Sequence, residues 1–79
     1  MKVYIVLQDF RESKDEEYMT DIVGTYKSPI DAKKKLDDVP NMYGKEARNV
    51  AIEKNGWLVT VNLIDDSEFR FRCVEEEVQ

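Results

Sequence analysis

Carboxylates are the most numerous side chains in this chain that could do chemistry, and most of them occur in short acidic runs. The runs are Asp15-Glu16-Glu17, Asp37-Asp38, Asp65-Asp66 followed by Glu68, and Glu75-Glu76-Glu77. Paired carboxylates can exchange protons, hold a hard cation or oppose a basic partner. A cation site at Asp65, Asp66 and Glu68 would lack the calcium-loop pattern. Because each run lies at a predicted loop, helix end or terminus, simple solvation is the ordinary role.

Other reactive groups are scarce. The chain has no histidine, which is the commonest general base and metal ligand, and only one cysteine, Cys73. Gly24, Gly44 and Gly56 are too far apart to form a phosphate-binding loop. We therefore expect a non-enzymatic protein without a metal or cofactor, and we expect Cys73 to be a small buried hydrophobic residue. Catalysis by paired carboxylates alone remains the alternative.

Composition indicates one small globular domain over residues 1–79. The net charge is −5, from 12 basic and 17 acidic residues. This charge disfavours general nucleic-acid binding, which needs cations against phosphate, and suits a partner with a basic surface. The single cysteine and the short apolar start predict a reduced, cytoplasmic protein without a membrane span.

The clearest structural signal surrounds Asn55-Gly56, a dipeptide typical of two-residue hairpin turns. A turn there pairs Lys54 with Trp57 and continues through three further pairs, Ile52–Val59, Val50–Val61 and Arg48–Leu63. This register collects the apolar residues on one face. A helix over 45–55 is the alternative, with Gly56 as its cap.

The remaining pattern predicts a first hairpin, a helix and a last strand. Strands are expected at 2–10 and about 17–26, with Ile5 and Leu7 buried and Tyr4, Val6 and Tyr18 on the outer side. Ser28-Pro29 begins a helix that Val39-Pro40 ends near residue 38. Leu36 of this helix and Val59, Val61 and Phe71 of the later strands are also expected to be buried. The last strand, from Glu68, should place Phe69, Phe71 and Cys73 opposite Leu63, Val61 and Val59, with Arg70 and Arg72 pointing away. The fold class is α+β: an antiparallel sheet of about five strands in the order β-β-α-β-β-β, with one short helix on one face.

Met42 and Tyr43 fall in a predicted connector over 40–45, an uncommon place for two large apolar groups. They either close the core or stay exposed as interface anchors. For the second case we predict a partner-binding site with Met42 and Tyr43 as anchors and Asp65, Asp66 and Glu68 as steering charges.

The first 38 residues resemble small bacterial and phage proteins. The resemblance rests on Lys2-Val3-Tyr4-Ile5-Val6, on the segment from Ile22 to Ser28, and on Asp31-Ala32-Lys33-Lys34. It implies a strand hairpin, a Gly-aromatic-Ser turn and a short helix. Proteins of this type often inhibit a host protein, and anti-CRISPR and other anti-defence proteins are among them.

Three classes of function follow. The leading one is a non-enzymatic protein-binding module, a phage-type inhibitor of a host defence protein that acts through an acidic surface. The second is a self-associating accessory protein that forms a homodimer through the N-terminal hairpin. The third is a protein that sequesters a small ligand such as a nucleotide.

Overall fold

A computed structural model describes residues 1–78, in which five strands form one antiparallel sheet with a single α-helix on one face. This arrangement confirms the predicted fold class. The elements are β1 (Lys2–Arg11), β2 (Met19–Tyr26), α1 (Pro29–Tyr43), β3 (Ala47–Glu53), β4 (Leu58–Leu63) and β5 (Glu68–Glu77). Short 3₁₀ turns occupy Gly44–Glu46 and Lys54–Gly56.

The strand order across the sheet is β2-β1-β5-β4-β3. The two hairpins, β1–β2 and β3–β4, therefore lie on either side of β5. Strand β5 pairs with β1 of the first hairpin and with β4 of the second. Strands β1 and β5 pair along their whole length, from Lys2 opposite Glu77 to Arg11 opposite Glu68. The first and last strands of the chain thus make the junction on which the sheet depends.

A hairpin forms around Asn55-Gly56 in the predicted register, but Lys54 and Trp57 lie in its turn and do not form the predicted strand pair. Asn55 and Gly56 both have positive φ, and the Trp57 amide donates to the Lys54 carbonyl over 3.1 Å. The pairs Ile52–Val59 and Val50–Val61 are confirmed. The strand pairing ends at Glu53 opposite Leu58, and a bulge near Arg48 puts Ala47 opposite Leu63, so the predicted Arg48–Leu63 pair is wrong. The alternative helix over 45–55 is also wrong.

The register of β4 against β5 differs from the prediction by two residues. Val59 lies opposite Phe71 and Val61 opposite Phe69. The turn is shorter than expected because Leu63 donates to the Ser67 carbonyl over 2.9 Å and Asp66 adopts positive φ. A shift of two residues keeps every side chain on its predicted face. Arg70 and Arg72 therefore point away from the helix, as expected.

Helix α1 begins where the sequence predicts and ends five residues later. The Ser28 hydroxyl accepts a hydrogen bond from the Ile30 amide over 3.1 Å, and Pro29 occupies the first turn. The helix continues through Pro40 to Tyr43, so the predicted end near residue 38 and the connector over 40–45 are wrong. A proline inside a helix costs roughly 3 kcal/mol. Docking of the flanking residues Val39 and Tyr43 on the sheet offsets this cost.

The core lies between α1 and the sheet. Its fully buried members are Val6, Ala32, Leu36, Val39, Val59, Val61 and Phe71. Burial of Leu36, Val59, Val61 and Phe71 was predicted, but Ile5 and Leu7 are only half-buried on the opposite face. Val6 and Tyr4 face the helix instead. Because β1 is apolar on both sides, its alternation alone does not show which side meets the helix.

Candidate functional site

The side of the sheet opposite α1 has no helix or strand of residues 1–78 packed on it. We call this side the uncovered face. Side chains alternate along a strand, so it receives the neighbours of the buried residues Val6 and Phe71. Its members from the central strand β5 and the neighbouring strand β1 are Val3, Ile5, Leu7, Asp9 and Arg11 of β1, and Glu68, Arg70, Arg72, Val74 and Glu76 of β5.

Asp9 is the centre of this face. Only 1% of its surface is exposed, although it lies on the uncovered side. Arg70 Nε donates to Asp9 Oδ2 over 3.0 Å, and Arg72 Nε donates to the same oxygen over 2.8 Å. The Thr20 hydroxyl donates to Asp9 Oδ1 over 2.6 Å. These four residues, here called the Asp9 clamp, tie β2, β1 and β5 together through one carboxylate.

The clamp keeps Asp9 ionised. Burial by itself would raise the pKa of Asp9, but hydrogen bonds from Arg72, Thr20 and Arg70 outweigh it and lower the pKa from 3.8 to about 2. The bond to Asp9 in turn raises the pKa of Arg72. A buried carboxylate that is fully hydrogen-bonded to two guanidinium groups fixes their positions as well as its own.

A second layer of contacts lies beside the clamp. It surrounds Tyr18, which is on the loop that precedes β2. The guanidinium carbons of Arg11 and Arg70 lie 4.5 and 4.3 Å from the centre of the Tyr18 ring. The Tyr18 hydroxyl donates to Glu68, and Arg11 Nη2 donates to Glu68 Oε2 over 3.1 Å. Burial would raise the pKa of Glu68, but the bonds from Tyr18 and Arg11 lower it. Tyr18 thus holds two arginines by cation–π contact.

The rest of the uncovered face is largely apolar. Ile5, Leu7 and Val74 are half-buried there, and Leu58 of β4 lies opposite Arg72. Ile22 of β2 lies opposite Leu7, and 66% of its surface is exposed. The face therefore combines fixed arginines, one aromatic ring and several aliphatic side chains.

The five predicted site residues do not gather on one surface. Met42 and Tyr43 lie on the last turn of α1. Met42 is 51% exposed, whereas the Tyr43 ring packs against Phe69 and Phe71 at centroid distances of 5.1 and 6.2 Å. Tyr43 is thus part of the edge of the core, and its burial raises its pKa. The binding role assigned to both residues stays a prediction.

The predicted steering charges are held by internal contacts. Asp65 accepts hydrogen bonds from the amide and hydroxyl of Ser67, which lower its pKa. Asp66 Oδ1 lies 2.9 Å from Arg48 Nη2, and both side chains are exposed. Glu68 belongs to the layer around Tyr18, on the face away from Tyr43. In residues 1–78 no group of three or more Cys, Asp or Glu side chains is placed to hold a metal ion.

Residue patterns alone did not single out the Asp9 clamp. The alternation Val3-Ile5-Leu7-Asp9 places one charge on an apolar stripe, and Arg70 and Arg72 were already expected to point away from the core. Recognising the clamp needed the pairing of β1 with β5, which brings together residues about 60 positions apart. That pairing was absent from the sequence-based prediction.

Cys73 lies half-buried at the edge of the core, opposite Val6 on β1 rather than beside Val59 as predicted. Burial, with a smaller contribution from Glu75, raises the pKa of its thiol. The thiolate, which is the reactive form, is therefore disfavoured. This position suits a packing role.

Within the part of the chain that the structure describes, no helix is long and apolar enough to cross a membrane. Comparison with protein-family models, curated proteins and solved structures gives no match to this chain.

Proposed function

We propose that the protein is a non-enzymatic protein-binding module and that the uncovered face is its contact surface. The observation that carries this proposal is the Asp9 clamp. A nearly inaccessible carboxylate fixes Arg70 and Arg72 on a sheet face that no helix or strand of residues 1–78 covers. Arginine and tyrosine are among the residues that contribute most to binding energy at protein interfaces.

The arginines of this surface are held in place before a partner binds, which favours binding. A flexible arginine loses side-chain freedom when it enters an interface, at a cost of roughly 0.5–1.5 kcal/mol. Arg70 has already lost that freedom, since its Nε is bonded to Asp9 and its guanidinium lies over Tyr18. The half-buried Ile5, Leu7 and Val74 beside it offer apolar area to a partner. The surface is thus ordered before any partner arrives.

Self-association is the second candidate, and a specific observation favours it. Ile5, Leu7 and Ile22 belong to the first hairpin and lie together on the uncovered face. A second copy could cover this apolar strip by a two-fold contact of the same surface on each copy. The predicted homodimer through the N-terminal hairpin would use this side of β1, whereas Tyr4 and Val6 pack towards α1.

The resemblance adds that the bound protein is a host protein, including components of host defence. A partner with a basic surface suits the net charge of −5 and the exposed Asp65 and Asp66. The uncovered face itself presents arginines, so such a partner would meet the acidic loops at its margin. This finer identity follows from the resemblance and the charge balance only.

Two isoleucines give a matched test of the surface. Ile22 is 66% exposed on the uncovered face, and Ile64 is 69% exposed in the turn between β4 and β5. We expect immobilised wild-type protein and Ile64→Lys to capture the same protein from a host lysate, and Ile22→Lys to lose it. Equal capture by both variants would contradict the proposed surface. The mass of the purified protein in solution separates a second copy from a different partner.

A further inference from the structure

Strand β5 continues beyond the start of β4 and leaves a groove on one side. Leu58, the first residue of β4, lies opposite Arg72, while β5 runs on to Glu77. The groove has a volume of about 350 Å³. It is lined by Lys54, Trp57, Leu58, Arg70, Arg72, Cys73 and Val74.

The charge of this lining is opposite to that of the whole molecule. Among residues 1–78 it includes three cationic side chains, Lys54, Arg70 and Arg72, and no carboxylate, although the chain carries a net charge of −5. Asp9 lies beneath the two arginines and is 1% exposed, so it fixes them without being presented to solvent. The groove is therefore a basic region on an otherwise acidic protein.

Donors remain available on all three cations. Arg70 bonds Asp9 through Nε, and Arg72 through Nε and Nη2. Within residues 1–78, both terminal nitrogens of Arg70 and Nη1 of Arg72 donate no hydrogen bond to the protein, and the Lys54 ammonium has no ion pair. A guanidinium anchored through Nε still presents a planar edge suited to an oxyanion.

We propose that this groove binds a small organic oxyanion, a carboxylate or phosphate carried on an aromatic or aliphatic group. The arginines and Lys54 would hold the oxyanion. Leu58, Val74 and Trp57 would contact the apolar part, because they supply the apolar portion of the lining. This site goes beyond protein binding by the uncovered face, since it takes a free small molecule and needs no partner protein.

Trp57 is the single tryptophan of the chain and lines the groove, so its fluorescence reports binding directly. The test titrates purified protein with phenyl phosphate and, separately, with inorganic phosphate. We expect a saturable change with phenyl phosphate and binding of inorganic phosphate weaker by about threefold or more, because inorganic phosphate lacks the apolar contact. An absent or non-saturating response, or equal binding of both probes, would overturn the proposal.

Lys54 is the residue to substitute, because it lies in the groove lining but outside the Asp9 clamp. We expect Lys54→Gln to weaken phenyl phosphate binding by about threefold or more, as loss of one exposed charge contact does. Lys45→Gln is the matched control, an exposed lysine on the turn after α1 and outside the lining. Equal effects of the two variants would show that only net charge matters and would contradict the site. Their thermal unfolding midpoints check that both variants are folded.

Discussion

At the scale of single residues, Asp9 connects three strands of the sheet and positions two arginines on its surface. Its carboxylate accepts hydrogen bonds from one residue of β2 and two of β5 and is almost inaccessible to water. Removing one partner of a buried ion pair is strongly destabilising, because the charges left behind are unpaired. Arg70 and Arg72 would then also lose their fixed positions, so stability and binding are coupled through this carboxylate.

The stability of the protein should depend on pH through Asp9. The pKa of Asp9 is lowered in the folded protein to about 2 from 3.8, so the folded state binds this proton less readily than the unfolded chain. The free energy of unfolding therefore contains a contribution of about 2 kcal/mol that is complete above about pH 4 and is lost as pH falls towards 2. Urea unfolding between pH 2 and 7 measures it. The lowered pKa of Glu68 adds a contribution of the same sign.

Asp9→Asn is the control for that profile. The variant should be less stable at pH 7 by about 2–4 kcal/mol, and its stability should fall less steeply below pH 4, because no carboxylate remains at this position. If the wild type and Asp9→Asn gave parallel profiles, the pH dependence would come from other groups. The assignment to the clamp would then be wrong.

At the scale of elements, the sequence predicts local pairings well and contacts between distant segments poorly. The turn at Asn55-Gly56 and the pairs Val50–Val61 and Ile52–Val59 depend on residues close in the chain, and they are confirmed. The buried face of β1 depends on where α1 docks, and there the prediction was wrong.

The end of helix α1 was also wrongly predicted, because contacts with distant residues decide it. Val39-Pro40 is a local signal for a helix end, but the contacts of the last turn with Phe69 and Phe71 override it. Those contacts also explain why the candidate site was incompletely predicted. A connector was expected at Met42 and Tyr43, with core closure and exposure both left open, whereas the structure places the two residues on a helix whose sides differ in burial.

Two neighbouring residues test the docking of this last turn. Tyr43→Ala should lower the free energy of unfolding by about 2–4 kcal/mol, since it removes an aromatic ring packed on two others. Met42→Ala should change it by less than about 1 kcal/mol, because the side chain is half exposed. Chemical denaturation of both variants measures the difference. Equal losses would contradict the assignment of Tyr43 to the core edge.

At the scale of the whole molecule, the two faces of the sheet differ in composition and in what packs on them. One side meets α1 and holds the buried apolar core, while the other carries an ionic cluster among half-buried aliphatic residues. The strand order places β5 at the centre with β1 beside it, and the pairing of these two strands builds the Asp9 clamp. Arg70 and Arg72 are therefore held in fixed positions on the uncovered face before any ligand or partner is present.

The most direct test of this claim is nitrogen-15 NMR of the arginine side chains in the free protein at neutral pH. We expect separate, slowly exchanging Nε–Hε signals for Arg70 and Arg72, because both groups donate to Asp9. Arg48, which is exposed and within residues 1–78 pairs through Nη2, should give an averaged, fast-exchanging signal and serves as the internal reference. Signals of Arg70 and Arg72 that average and exchange as fast as that of Arg48 would show that the Asp9 clamp does not hold the two arginines.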